Sequence, residues 1–371
     1  MIAQLLNSPY RRTVDWALFA LTAVLCALGI AFIYSATRGL PGEAWKKQLV
    51  AIVLGCFGMA AAMRVDFHRY TRYATRLYAA VLILLVIVLK SSHTTNGAAR
   101  WIRIGGFPFQ PSEFAKLVII YGLAVFLNNR QEEIGELRTV LLSLAWVAVP
   151  MALIFKQPDL GTALVIFAIW IGMVFMGGGR IRHLAGILGV GAVLFVGLWF
   201  SGRVLKHYQK NRLIAFVNPE ADPKEAGYHI LQARIAIGSG QVWGQGYLKG
   251  TEVHGGYRPE RESDFIFTDI GEEWGFVGAL AVIGLYVALL WRGALVVAAA
   301  SQDLLGKLIA SGIVTMLAVH VLVNIGMNVG IMPVTGVPLP LISAGGSNVV
   351  STLIAIGLLQ SVSLRHHRLL F

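Results

Sequence analysis

Tyr257-Arg-Pro-Glu-Arg-Glu-Ser-Asp-Phe-Ile-Phe267 closes a long polar loop and opens a membrane-length apolar run. Arg258, Glu260, Arg261 and Glu262 place four charges within five positions, and Asp264 follows them. Phe265 then begins a stretch that leads straight into hydrophobic sequence. A carboxylate therefore stands where water meets membrane, at the start of a helix. The loop that ends here, at about 202–265, is the only long polar segment in the chain.

The rest of the sequence explains why that position matters. The chain has 371 residues, of which 56% are hydrophobic and 13% charged, against about 25% charged in a soluble domain. Apolar runs recur at the length of about twenty residues that a spanning helix requires. Ten are counted, at about 14–36, 46–63, 73–91, 112–129, 138–156, 159–177, 183–201, 266–291, 306–331 and 339–363. Strand signals are absent, and only helices or closed barrels satisfy backbone groups in lipid. The expected fold is an all-α polytopic membrane protein of about ten transmembrane helices. It forms one domain over 1–371 with one long, structured extracellular loop. Cys26 and Cys56 lie inside apolar runs and read as core residues rather than a disulfide or metal pair. The first run, from Val14, is long enough to span, and the Arg11-Arg12 flank suits retention rather than cleavage. The net charge of +12 fits cationic loops beside anionic lipid headgroups, and nucleic acid is not an expected partner.

An even number of spans puts both ends on one side, and the Lys/Arg distribution selects it. With the N-terminus inside, fourteen Lys/Arg residues fall in cytoplasmic segments and seven in short outer loops. Nine more lie in the long loop, where the rule applies weakly. Both termini are therefore expected in the cytoplasm and the 202–265 loop outside. Within that loop, Tyr228-His-Ile-Leu-Gln-Ala-Arg-Ile-Ala-Ile237 has helical apolar spacing with a polar face and suits the interface. Gly238, Gly240, Gly244, Gly246 and Gly250 allow tight turns or close backbone approach.

Polar groups gather at the outer ends of the spans. Gln110-Pro-Ser-Glu-Phe-Ala-Lys116 places Glu113 and Lys116 on one helix face. They read either as a local ion pair beside a helix cap or as an acid and a cation lining a cavity. Gln157-Pro-Asp-Leu-Gly-Thr162 repeats the style, with Asp159 either complementing a helix dipole or joining that cavity. Topology puts Glu113, Lys116, Asp159 and Asp264 on the same side. The proline- and glycine-rich stretch from Asn328 to Ser347 cannot form a regular helix. It is either a tight turn with close packing at Gly345 and Gly346, or a set of free backbone N–H groups for an anionic headgroup. His320, Asn324 and Asn328 recur every four residues and suit interhelical hydrogen bonding. Asp269, Glu272 and Glu273 require a cavity or a cation if they are to lie in the membrane. Arg203, Lys206 and Lys210 fall near one face of a helical extension and form a basic stripe that solvates a membrane surface or meets a lipid diphosphate. No zinc-ligand spacing, Walker sequence or Ser-His-Asp signature is present.

Ala226-Gly-Tyr-His-Ile-Leu-Gln232, Ile235-Ala-Ile-Gly-Ser-Gly240, Pro259-Glu260 and Ser263-Asp-Phe-Ile-Phe267 together resemble the SEDS family (shape, elongation, division and sporulation). Gly97-Ala-Ala-Arg-Trp-Ile102, Gln110-Pro-Ser-Glu113, Gln157-Pro-Asp-Leu-Gly-Thr162 and Pro338-Leu-Pro-Leu-Ile-Ser343 extend the likeness in order along nearly the whole chain. The loop wording is closer to the elongation branch than to the division branch. The resemblance implies a ten-helix peptidoglycan glycosyltransferase in the bacterial plasma (inner) membrane, with its catalytic cavity facing outward. Its expected partners are a class B penicillin-binding protein, lipid II, undecaprenyl-diphosphate-linked glycan and membrane lipids. Asp264 matches the family's essential aspartate, Glu113 and Lys116 its paired residues, Asp159 its Gln-Pro-Asp acid, and Arg100 the base before the tryptophan. Two departures stand out: Glu262 replaces a common histidine, and Ala344 replaces a common tyrosine. Asp269 is an additional acid.

Glycosyl transfer from a lipid diphosphate needs a base for the acceptor hydroxyl and charge stabilisation for the departing diphosphate. Asp264 is the candidate base for the GlcNAc 4-hydroxyl of lipid II, with Glu260 and Glu262 beside it. Arg100, Lys116 and Arg212 are candidates for the diphosphate. No cofactor is evident, and a divalent cation at Asp159 or near Glu272 is left open. Two other activities fit the same residues: a lipid II flippase or transporter that uses the cavity as a path, and a non-catalytic scaffold for a cell-wall synthase.

Overall fold

A computed structural model describes residues 14–38, 43–90, 101–104, 107–201, 212, 214–221, 226–251 and 262–366. Its long helices are α1 Trp16–Thr37, α2 Ala44–Arg64, α3 Ala74–Lys90, α4 Pro111–Asn128, α5 Leu137–Lys156 and α6 Leu160–Met176. They continue as α7 Ile181–Ser201, α8 Ala226–Ser239, α9 Ile266–Ala299, α10 Leu304–Asn328 and α11 Gly346–His366. Each of the ten expected spans falls on an apolar helix. Among the described residues, eight helical stretches are long and apolar enough to cross a membrane, while Leu160–Met176 and Ile181–Leu194 are shorter. α8 is the helix expected inside the long loop.

Four expectations change, the first being that Cys56 is exposed on its helix while only Cys26 is a core residue. A two-stranded antiparallel hairpin joins β1 Ile102–Ile104 to β2 Phe107–Phe109, with Ile102 opposite Phe109 and Ile104 opposite Phe107. Its strands of three residues are far below the nine to eleven or so that a spanning strand needs, so the all-α membrane class is unaffected. The last span begins at Gly346, not near 339, because the residues before it form a buried loop. α9 runs to Ala299 and breaks its helical geometry at Gly275, which has φ 66 and ψ −162.

The break at Gly275 is filled by the segment that follows α8. The carbonyls of Glu272 and Glu273 accept from the amides of Gln245 and Gly246, at 3.0 and 2.9 Å. On the other side of the break, the amides of Phe276 and Val277 donate to Gln241 and Val242, at 2.8 and 3.1 Å. Backbone groups that lost their helical partners thus find new ones, as they must in a low-dielectric surround. The fit needs absent side chains: a Cβ on Gly244 would collide with the carbonyl of Glu273, and one on Gly240 with that of Gly271.

α10 is central, in contact with α4, α6, α9 and α11. α2 and α11 lie against each other through glycines; a Cβ on Gly357 would stand 2.5 Å from the Met59 carbonyl oxygen. α7 lies at the edge, with Ile181, Val190, Val193 and Leu194 exposed, as suits a lipid-facing helix. At one end of the bundle the start of α1 meets α9 and α11. The amide of Asp15 donates to Gln360 at 3.1 Å, and Arg292 donates to the Asp15 carboxylate at 2.7 Å.

Candidate functional site

At the other end lies a loop, 331–345, that carries no regular structure yet is largely buried. Val334, Val337, Leu339, Leu341, Ile342 and Ser343 are all inaccessible. Non-helical backbone at this depth is tolerated when protein surrounds it, and residues of four helices do so. Gln48 of α2 donates to the Ser343 carbonyl at 3.0 Å and accepts from the Gly345 amide at 3.2 Å. Tyr286 of α9 donates to the Pro340 carbonyl at 2.5 Å. Gly29 of α1 lets the loop approach, since a Cβ there would stand 2.6 Å from the Leu341 carbonyl oxygen. Asn324 of α10 donates to the Val337 carbonyl at 2.8 Å.

The amides of Leu339, Ser343, Ala344 and Gly345 donate to Ser343 Oγ, the Leu339 carbonyl, the Glu262 carbonyl and Gln48. Those four are therefore spent inside the protein and are not free for an anionic headgroup. Close packing at Gly345 and Gly346 is also absent: Cβ atoms there would make ordinary contacts at 3.5 and 3.7 Å.

Asp264 is half-buried immediately before α9. Its main-chain carbonyl accepts from Asn324 and from Asn328, each at 3.0 Å. Its carboxylate Oδ2 lies 3.3 Å from where a Cβ on Gly336 would be, and Gly336 has φ +74. Phe265, the next residue, is buried in a small cluster with Ile230 and Ala233 of α8, Met327 of α10 and Val334 of the loop. The main chain at Asp264 is thereby held between α8, α10 and the 331–345 loop, with the carboxylate facing Gly336. The backbones of the two positions that depart from the family pattern meet nearby, the Ala344 amide donating to the Glu262 carbonyl at 2.8 Å.

Glu113 and Lys116 form the ion pair expected from their spacing, at 2.8 Å, and are 3% and 1% exposed. The Lys116 ammonium also donates to His320 Nε2 at 2.9 Å. The other Glu113 oxygen accepts from Asn348 at 2.9 Å and Ser351 at 3.4 Å. The pair is thus built into the bundle by α10 and α11. The N-cap of α4 is Gln110, which makes no side-chain capping bond; instead its amide side chain reaches Asp159 at 3.3 Å. Asp159 caps α6, accepting from the Thr162 amide at 3.2 Å and its hydroxyl at 2.9 Å. Pro158 lies before the cap rather than in the first turn.

These groups surround the same loop. Gly161, two residues after Asp159, faces Thr335 and Val337, while Asp264 faces Gly336. His320 and Asn324 stand one turn apart on α10, linking the Lys116 pair to the Asp264 carbonyl. Asp269, Glu272 and Glu273 are buried rather than wetted, with partners inside the protein. Ser35 donates to Glu273. Among the described residues no group of three His, Cys, Asp or Glu side chains is arranged to hold a metal ion. Both Asp159 oxygens are engaged as above. Arg212 is half-buried in a short helical segment. Arg100 and Glu260 lie outside the described residues, as do Arg203, Lys206 and Lys210.

Reading the sequence alone passed over Gln48, Gln110, Asn348 and Ser351 as partners of this site. Their signal was polarity at the ends of otherwise apolar helices, which without topology also fits an interfacial position.

A family model described as a cell cycle protein, FtsW/RodA/SpoVE, matches residues 15–368. The peptidoglycan glycosyltransferase RodA of Treponema pallidum (strain Nichols) is 36% identical, over 95% of this chain and 98% of its own. A solved structure described as structural coordination of polymerization and crosslinking by a peptidoglycan synthase complex is 32% identical. It has a TM-score of 0.81 and covers 96% of this chain and 98% of that one. The rod shape determining protein RodA of Thermus thermophilus is 30% identical with a TM-score of 0.68, over 95% and 97% of the two chains.

Proposed function

This chain belongs to the FtsW/RodA/SpoVE family of cell cycle proteins and is a peptidoglycan glycosyltransferase; we propose that it polymerises lipid II, with Asp264 as general base. It is a multi-pass bacterial membrane protein. In this reading the loop end of the bundle faces outward from the plasma membrane, and the activity serves cell elongation.

The observation that carries the assignment of the base is the setting of Asp264. It is a half-buried carboxylate whose main chain is fixed by two asparagines and whose Oδ2 faces Gly336 of the loop, 3.3 Å from where a Cβ there would stand. A general base works when it is held within hydrogen-bonding reach of the proton it removes. Asp264 takes the proton from the GlcNAc 4-hydroxyl of the incoming lipid II. The hydroxyl oxygen attacks the anomeric carbon of the lipid-linked glycan, and the bond to the diphosphate breaks on the opposite face, as in single-displacement glycosidases. The polyprenyl chain remains in lipid while the sugars meet Asp264 at the helix end.

Arg100 and Arg212 supply positive charge toward the departing diphosphate. Lys116 is buried with Glu113 and His320, so its first role is to hold α4, α10 and α11 in register around the loop. Glu113 and Asp159 act with it on the same side, and Glu260 stands in the segment leading to the base. A class B penicillin-binding protein cross-links the product; the likeness to a peptidoglycan synthase complex supports such a partner.

The test is reconstitution of the purified chain with its cognate class B penicillin-binding protein, transpeptidase blocked, and labelled lipid II. Glycan strands from the native chain and none from Asp264→Ala are expected. Full polymerisation by a folded Asp264→Asn chain would remove Asp264 as the base. Movement of lipid II across vesicles without strands would identify a transporter, and neither activity in a folded, partner-bound chain would leave a scaffold.

A further inference from the structure

We infer that Asn324 and Asn328 are positioning residues for the transfer reaction, holding the Asp264 carboxylate in place through its main-chain carbonyl; this rests on reading Asp264 as the base. Both asparagines are fully buried on α10. An apolar side chain there would spare the protein two buried amides, so each amide needs partners to be tolerated. The partners are specific. One N–H of Asn324 goes to the Asp264 carbonyl and one to the Val337 carbonyl, at 3.0 and 2.8 Å. Asn328 donates to the same Asp264 carbonyl at 3.0 Å and to the Asn324 carbonyl at 2.8 Å.

A carbonyl oxygen has two lone pairs, and here two amides from successive turns of one helix occupy them. The plane of the peptide after Asp264 is therefore fixed, which limits rotation at its Cα and the direction of its side chain. Asn328 is itself locked, because its Oδ1 accepts from the Thr268 amide at 3.2 Å and hydroxyl at 2.6 Å. The second bond of Asn324 ties Val337, and with it Gly336, to the same amide group. The base and the loop that faces its carboxylate are thus held by one side chain and move together. Asparagines that served only to join helices would meet these needs on any nearby carbonyl. These two spend three of their bonds on the base and on the residue beside the glycine that faces it.

The experiment measures initial polymerisation rates against lipid II concentration for the full chain with its blocked transpeptidase partner. Asp264→Ala, Asn324→Ala, Asn328→Ala and Thr268→Val are compared, with thermal unfolding of each. Asn324→Ala and Asn328→Ala are expected to lower kcat by about 10- to 100-fold with KM changed by less than about threefold, the scale of a misplaced reacting group. Combined with Asp264→Glu, whose carboxylate is already displaced, either asparagine substitution is expected to cost much less than it does alone. A purely structural role would lower the unfolding temperature and multiply with Asp264→Glu at full strength, and that result overturns the inference. Unchanged kcat in folded asparagine variants overturns it too. If the asparagine variants do not fold, Thr268→Val decides: it removes one buried hydrogen bond, so the chain is expected to stay folded with a slightly lower unfolding temperature while kcat falls several-fold, and no fall rejects positioning. A dead Asp264→Ala beside fully active asparagine variants rejects positioning alone, whereas an active Asp264→Ala rejects the base assignment beneath it.

Discussion

The ammonium of Lys116 on α4 stands 2.9 Å from Nε2 of His320 on α10, two residues separated by 204 positions. A lysine ammonium has only donors, so Nε2 accepts and the imidazole proton resides on Nδ1. The remaining charge balance falls to Glu113, 2.8 Å from the same ammonium. One cation thus meets an acid on its own helix and Nε2 of a histidine on the central one.

Removing one member of this arrangement leaves the other charge buried. Lys116→Ala is expected to destabilise the chain by about 3–5 kcal/mol, read as a lower unfolding temperature in detergent. Lys116→Met combined with Glu113→Gln removes both charges and keeps most of the volume, so it is expected to recover most of that stability. If the double variant unfolds as readily as the single, the cost lies in packing rather than in an uncompensated carboxylate.

Gly336 combines a left-handed backbone with a near approach to the base. Gly336→Ala adds strain of about 1–2 kcal/mol and puts a methyl group 3.3 Å from Asp264 Oδ2. Polymerisation is expected to fall by about 10- to 100-fold. Gly336→Asn separates the causes, because asparagine accepts the left-handed region more readily while still crowding the carboxylate. An Asn variant as slow as the Ala variant, yet more stable, assigns the lost rate to crowding.

Gln48 holds two ends of the buried loop with one side chain. Gln48→Ala leaves the Ser343 carbonyl and the Gly345 amide without it, each at about 1–3 kcal/mol. Gln48→Glu keeps an acceptor for Gly345 but turns a buried carboxylate oxygen toward the Ser343 carbonyl, so its unfolding temperature is expected to fall below that of Gln48→Ala. An unfolding temperature above that of Gln48→Ala would show that the Gly345 bond outweighs the buried charge.

Much of the fold was legible because lipid imposes a simple grammar: long apolar runs become helices, and Pro111 and Asp159 mark where two of them start. The hairpin at 102–109 was missed because strands of three residues leave too short a pattern, although Gly105-Gly106 between Ile102-Arg-Ile and Phe107-Pro-Phe was a turn signal. The break in α9 was missed because a single Gly275 in an apolar run also fits an unbroken helix. Only the segment 241–246, distant in sequence, reveals what fills it. At the site, Asp264, Glu113, Lys116 and Asp159 were visible as charges at membrane depth. Their arrangement was not, since it depends on a loop whose direction is set by partners on α1, α2, α9 and α10. The four-residue spacing of His320, Asn324 and Asn328 indicated interhelical bonding, but not that two of its acceptors are the carbonyls of Asp264 and Val337.

Gly238 and Gly240 are two residues apart, and the sequence treats them alike; the structure does not. A Cβ on Gly238 meets nothing within 4 Å, and the residue lies inside α8. Gly238→Ala should therefore be neutral or stabilise the chain by about 0.5–1 kcal/mol, because alanine has less conformational entropy than glycine to lose from the unfolded chain. A Cβ on Gly240 would collide with the Gly271 carbonyl and lie 2.8 Å from that of Glu272. Backbone cannot yield there as a flexible side chain could, so Gly240→Ala pushes α8 off α9. With it go the bonds from Gln245 and Gly246 that cap the break at Gly275 and the burial of Phe265 beside the base. A fall in both unfolding temperature and polymerisation is expected for Gly240→Ala, with neither for Gly238→Ala. Equal behaviour of the two variants would mean that α8 and α9 are not held at this separation in the working enzyme.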